Sequence, residues 1–97
     1  MMKPFFVYIL KCNDNSFYTG HTDNLEHRIA EHKQGKISGY TSAKLPVELV
    51  FMQQFPTRDE ALCAERQIKG WSRKKKEALI STALRFTKDQ VAKRHHQ

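Results

Sequence analysis

Phe5-Phe6-Val7-Tyr8-Ile9-Leu10-Lys11, followed after a short gap by Ser16-Phe17-Tyr18-Thr19-Gly20-His21, decides how this chain begins to fold. The first segment is almost continuously apolar, as in a strand covered on both faces. Asn13-Asp14-Asn15 supplies turn chemistry, and Ser16 to His21 returns as a second strand. A hairpin centred on Asp14 sets Tyr8 opposite Gly20 and Leu10 opposite Tyr18. All four share one sheet face, because side chains alternate with period two. The two phenols become diagonal cross-strand neighbours, roughly 7–8 Å apart. Gly20 beside them leaves bare backbone where a ligand can approach. Two hydroxyls and a gap suit a binding site better than a core.

Beyond the hairpin, Thr22-Asp23-Asn24 offers N-cap oxygens, with Glu26 three residues after Asp23 in the manner of a capping box. The helix that follows runs to about Gln34 and stops at Gly35. A basic loop, Gly35 to Pro46, leads to a third strand over Val47 to Phe55, with Val47, Leu49, Phe51 and Phe55 on one face. Thr57 and Glu60 form a second capping box, opening a helix to about Lys69 that Gly70 ends. Ser72 caps a third helix reaching roughly Thr82, and Thr87 to Arg94 holds at most a further turn or two. There is no internal repeat and no low-complexity linker. The order β-β-α-β-α-α implies a small sheet with helices packed against it, a single domain over 1–84 followed by a basic tail over 85–97.

The chain has 97 residues and 39% hydrophobic content, enough for one domain with its own core. Its 17 Lys and Arg against 10 Asp and Glu give a net charge of +7. That balance favours an anionic partner, nucleic acid or a membrane surface, or serves solubility alone. No apolar run approaches the roughly 20 residues of a membrane span, and Met1-Met2-Lys3-Pro4 is too brief for a signal peptide. A cytoplasmic protein with no membrane partner is expected. Cys12 and Cys63 are then expected to stay reduced, Cys63 as a small core residue. No cysteine or histidine spacing matches a zinc finger or ribbon.

Two helices carry charge where their inward faces should be apolar. Leu25, Arg28, Ile29 and His32 follow the i, i+3, i+4, i+7 spacing of an inward stripe. The simpler reading puts Arg28 and His32 at its edge, stems packed and polar heads in water, and it suits His32 better than Arg28. A guanidinium held beside two phenols is well suited to a phosphate. In the second helix Ala61, Glu65 and Ile68 share one face, and a carboxylate among apolar residues needs a partner. Either Glu65 pairs with Arg28 or a lysine, or it is the single carboxylate with which proteins commonly hold Mg²⁺ through substrate phosphates and water. Trp71 reads as a core plug at a helix junction. The run Arg73-Lys74-Lys75-Lys76 opens the third helix, where the macrodipole disfavours cations. It reads as a solvated face or, with Lys36 and Lys44, as a phosphate-tracking surface.

Tyr8, the triplet Tyr18-Thr19-Gly20, Arg28 and Glu65, in this order and in these elements, resemble the GIY-YIG nuclease superfamily, and most of all its short stand-alone members. The resemblance spans about Phe5 to Ile80. Phe6 and Val7 stand where the first motif has Gly and Ile, and Thr19 stands where the second has Ile. The resemblance implies an α+β fold, a small three-stranded antiparallel sheet flanked by helices. It also implies hydrolysis of a phosphodiester with one divalent cation. Carried onto this chain, Tyr8 or Tyr18 helps deprotonate the attacking water, Arg28 holds the scissile phosphate, Glu65 binds Mg²⁺ or Mn²⁺, and His32 assists proton transfer. Gly20, Lys36, Lys44 and Lys74 are the expected substrate contacts. The expected partner is nucleic acid, DNA in preference to RNA, in structured or single-stranded form. The alternative is a nucleic-acid-binding module on the same fold with weak or no cleavage.

Overall fold

A computed structural model describes residues 3–37 and 39–83. Strands β1 (Phe5–Lys11) and β2 (Phe17–Thr22) are followed by helix α1 (Leu25–Lys33), strand β3 (Glu48–Phe55) and helix α2 (Arg58–Lys69). A last helix, α3, occupies residues 73–83. The turn expected over Thr87 to Arg94 and the tail over 85–97 lie outside the described residues.

The sheet is three-stranded and antiparallel, in the order β2-β1-β3, which makes β1 the central strand. Its continuous apolar run follows from that position, with Val7, Tyr8, Ile9 and Leu10 all at most 2% exposed. Tyr8 pairs with Gly20 and Leu10 with Tyr18, the register expected from a turn centred on Asp14. In that turn Asn15 adopts φ 67°, a left-handed conformation that asparagine tolerates. The Ser16 backbone N–H donates to Asp14 Oδ1 at 3.0 Å.

Three local expectations need correction. β3 does not keep Val47, Leu49, Phe51 and Phe55 on one face. Ile9 pairs with Phe51 but Leu10 with Leu49, so Val50 is an extra residue and the alternation shifts there. Val47 and Leu49 consequently pack with Tyr8, while Phe51 and Phe55 pack with Val7 on the other side. The N-cap of α1 is Asn24, not Asp23: its side chain accepts from the His27 N–H at 3.2 Å, and Asp23 stays exposed. Cys63 is exposed, because two residues along α2 from Ala61 turns it to the outer flank, whereas Cys12 is buried; both thiols are free. Elsewhere the caps match, with Thr57 accepting from the Glu60 N–H and Ser72 from the Lys75 N–H, both at 3.2 Å.

The helices divide between the sheet's faces. Val7, Ile9 and Phe51 form one core with Ala61 and Ile68 of α2, and Trp71, Leu79 and Ile80 pack against it. Tyr8, Leu10 and Val47 form the other with Ile29 of α1, joined by Leu25 and Tyr18. α1 and α2 therefore lie on opposite faces. Arg28 of α1 and Arg58 of α2 line one cleft at the end of β2.

Candidate active site

On the α1 face, Tyr8, His32 and Thr41 form a buried chain of hydrogen bonds. The Tyr8 hydroxyl lies 2.9 Å from His32 Nε2, and His32 Nδ1 lies 2.8 Å from Thr41 Oγ1. His32 and Thr41 are only 1% and 2% exposed. The expectation that His32 keeps its polar atoms in water is therefore corrected, because Tyr8 of β1 engages Nε2 while Thr41, in the loop after α1, engages Nδ1. That loop is tied to the hairpin turn by the Asn13 N–H on the Lys44 carbonyl at 3.0 Å and by Lys44 Nζ on Asp14 Oδ2 at 3.0 Å. Tyr18 completes the cluster, its ring centroid 6.3 Å from that of Tyr8 and 5.2 Å from that of His32. Tyr40 stacks on its far side at 6.2 Å, and Lys44 Nζ sits 3.6 Å over the Tyr40 ring.

Burial pushes the Tyr8 phenol well above its ordinary pKa, with Tyr18 and Glu65 adding to the shift and Arg28 opposing it. Burial and the Arg28 charge lower His32, against Glu31. The imidazole is thus neutral in neutral solution. A neutral ring carries one N–H, so it donates one of its two bonds and accepts the other, and hydroxyls at both ends can take either role.

The gap expected at Gly20 is filled. A Cβ built on Gly20 would stand 2.6 Å from the Tyr8 oxygen and 3.2 Å from Tyr18 Cε2. The bare backbone at Gly20 makes room for the Tyr8 phenol, so the gap expected there is occupied by a side chain of the protein itself.

On the α2 face Glu65 is 8% exposed and both its oxygens are engaged. His21 Nδ1 donates to Oε1 at 2.8 Å, and Lys69 Nζ lies 3.2 Å from Oε2. Burial works against the charge, but the His21 and Lys69 contacts outweigh it and hold the carboxyl below the usual carboxylate range. Of the partners considered from sequence, a lysine rather than Arg28 makes the ion pair. Arg28, half-buried on α1, acts electrostatically on both Tyr8 and His32. It also lines a cleft of about 250 Å³ with His21 and Arg58.

Tyr8, Tyr18 and His32 are thus grouped on the α1 face, with Arg28 on the same helix as His32, whereas Glu65 stands on the α2 face and is held by His21 of β2. Of the lysines, Lys36 and Lys74 are exposed, while Lys44 is committed to Asp14 and Tyr40. Sequence reasoning missed His21 and Thr41. For His21 a signal existed: alternation turns the residue after Gly20 away from Tyr18 and toward α2. For Thr41, a hydroxyl in a polar loop, there was none.

Among the described residues no group of three or more His, Cys, Asp and Glu side chains could hold a metal ion. The donor set nevertheless fits the sparse mode of Mg²⁺ binding, one ionised carboxylate supplemented by substrate oxygens and water. Lys69, half-exposed, is the side chain that would yield its place.

A model of the GIY-YIG catalytic domain matches residues 4–78. A UPF0213 protein of Staphylococcus haemolyticus is 47% identical over 81% of this chain and 96% of that protein. Another, from Natronomonas pharaonis, is 43% identical over 84% of this chain and 95% of its own. Among solved structures, a UPF0213 protein of Bacillus halodurans superposes with a TM-score of 0.55 at 43% identity, covering 81% of this chain and 84% of that one. A protein of E. faecalis does so at 0.58 and 39%, covering 82% and 85%. With its sheet order, tyrosine register and the placement of Arg28 and Glu65 already accounted for, the chain belongs to the GIY-YIG family, alongside these short UPF0213 relatives.

Proposed function

We propose that this protein is an endonuclease that hydrolyses DNA phosphodiester bonds with the help of Mg²⁺ or Mn²⁺. The observation that carries the reading is geometric. Tyr8, Tyr18 and His32 form one cluster, and His21 of the neighbouring strand holds the Glu65 carboxylate while lining a cleft with Arg28. Arg28 has the fork geometry to hold a scissile phosphate and to offset the charge that grows on it during attack. Tyr8, raised far above neutrality, is a poor base by itself, and its bond to His32 gives its proton a route to a neutral imidazole. Tyr18, partly exposed beside it, is the phenol that reaches a water at the surface. Glu65 would hold the divalent cation, kept ionised by the His21 hydrogen bond despite its burial. When bound, such a cation lowers the pKa of water and neutralises phosphate charge.

The Glu65–Lys69 ion pair favours a second reading, a module that binds nucleic acid without cutting it. Labelled DNA incubated with Mg²⁺ separates the two. The nuclease reading expects product from the wild-type protein and a loss of at least about a hundredfold in both Glu65→Gln and Arg28→Ala. Equal residual cutting by all three proteins overturns it. Salt-sensitive, metal-independent binding without product establishes the module.

A further inference from the structure

The cleft beside Glu65 contains more positive charge than the fold needs. Its lining is Phe5, His21, Thr22, Asp23, Arg28 and Arg58. Arg28 belongs to α1 and Arg58 to α2, helices on opposite faces of the sheet, so the two guanidiniums enter one cleft from opposite sides at the end of β2. Among the described residues neither side chain makes an ion pair or a hydrogen bond. Arg58 is also the first residue of α2, where the helix macrodipole disfavours a cation. An arginine at an unfavourable helix position, unpaired among the described residues and lining one cleft with a second such arginine, is a departure from local preference of the kind that marks binding sites. Asp23, exposed in the same lining, offsets only one of the two positive charges.

Resting on the functional reading above, we propose that this cleft holds two successive phosphates of one nucleic-acid strand, the scissile one on Arg28 and its neighbour on Arg58. The guanidinium fork suits this task, because it binds a phosphate through two parallel hydrogen bonds and keeps its charge at every relevant pH. The α1 and α2 faces of the sheet then close on the strand like two jaws, with His21 at the base of the cleft linking it to Glu65.

Thymidine 3′,5′-bisphosphate and thymidine 5′-monophosphate, titrated without metal and followed through the arginine side-chain NMR signals, test the assignment. The wild-type protein is expected to bind the bisphosphate roughly tenfold more tightly than the monophosphate. Arg58→Ala, at an exposed position with no hydrogen bond or ion pair among the described residues, is expected to erase that preference while its amide spectrum stays native. Arg58→Lys should keep part of it. A wild-type protein that does not distinguish the two nucleotides, or an Arg58→Ala variant that still does, overturns the proposal. Failure of the nuclease reading shows separately, as an intact bisphosphate preference in a protein that yields no DNA product.

Discussion

His32 and Gly20 exchange the roles their sequence positions suggest. The helical stripe places His32 at a wet edge, yet the loop after α1 buries it between the hydroxyls of Tyr8 and Thr41. Its neutral form is therefore favoured in the folded state, with a pKa below the ordinary 6.5. The sign follows directly: the unfolded chain binds the proton more readily, so the stability tied to His32 is complete above about pH 6.5 and drains away as the pH falls toward the folded value. The groups around the ring are Tyr8 and Tyr18 from the sheet, Thr41 from the loop, and Arg28 and Glu31 from α1. Urea midpoints measured from about pH 7 down to 5 should fall for the wild-type protein and fall less steeply for His32→Gln. Parallel slopes would remove His32 from the account. Gly20, expected to leave a gap, is the space into which Tyr8 fits. Gly20→Ala places a methyl 2.6 Å from the Tyr8 oxygen and 2.7 Å from Cζ. Overpacking of this kind costs about 1–3 kcal/mol, and urea unfolding should register it. An unchanged midpoint would mean that the phenol has somewhere else to go.

The hairpin was the most legible element, because two constraints agree there. The apolar period fixes which residues share a face, and a turn over Asn13-Asp14-Asn15 leaves one register. Helix limits were legible for similar reasons, since Thr57, Gly70 and Ser72 each supply a local hydrogen bond or a stop. The β3 bulge was not. Leu49, Val50 and Phe51 are all apolar, so the sequence carries no mark of the extra residue, and only pairing with β1 forces Leu49 and Phe51 to opposite faces. The start of α1 offered three capping residues in a row, and the length of β2 decided among them by carrying the strand through Thr22. In the candidate site, Arg28 and Glu65 stand out in the sequence as charges on inward helix faces, and Tyr8 and Tyr18 through the hairpin register that sets two phenols on one sheet face. Thr41 violates nothing, and its role depends on where a loop lands.

At the level of the entire fold, the candidate site depends on β2 being an edge strand. A central strand would keep α1 and α2 apart, whereas at the edge Arg28, Arg58 and His21 line one cleft and His21 also holds Glu65. A net charge of +7 favours an anionic partner over a cationic one. No helix among the described residues is long and apolar enough to cross a membrane. The central question is whether Glu65 and the phenols serve one cation and one substrate. Mn²⁺ added to the protein bound to a nuclease-resistant DNA oligonucleotide, with paramagnetic broadening read residue by residue in NMR spectra, answers this. The signals of Glu65, His21, Tyr8, Tyr18 and Arg28 should broaden together at the lowest Mn²⁺ concentrations, and Glu65→Gln should abolish the effect. Broadening that centres instead on surface carboxylates such as Asp59 and Glu60, or that survives Glu65→Gln, would contradict it.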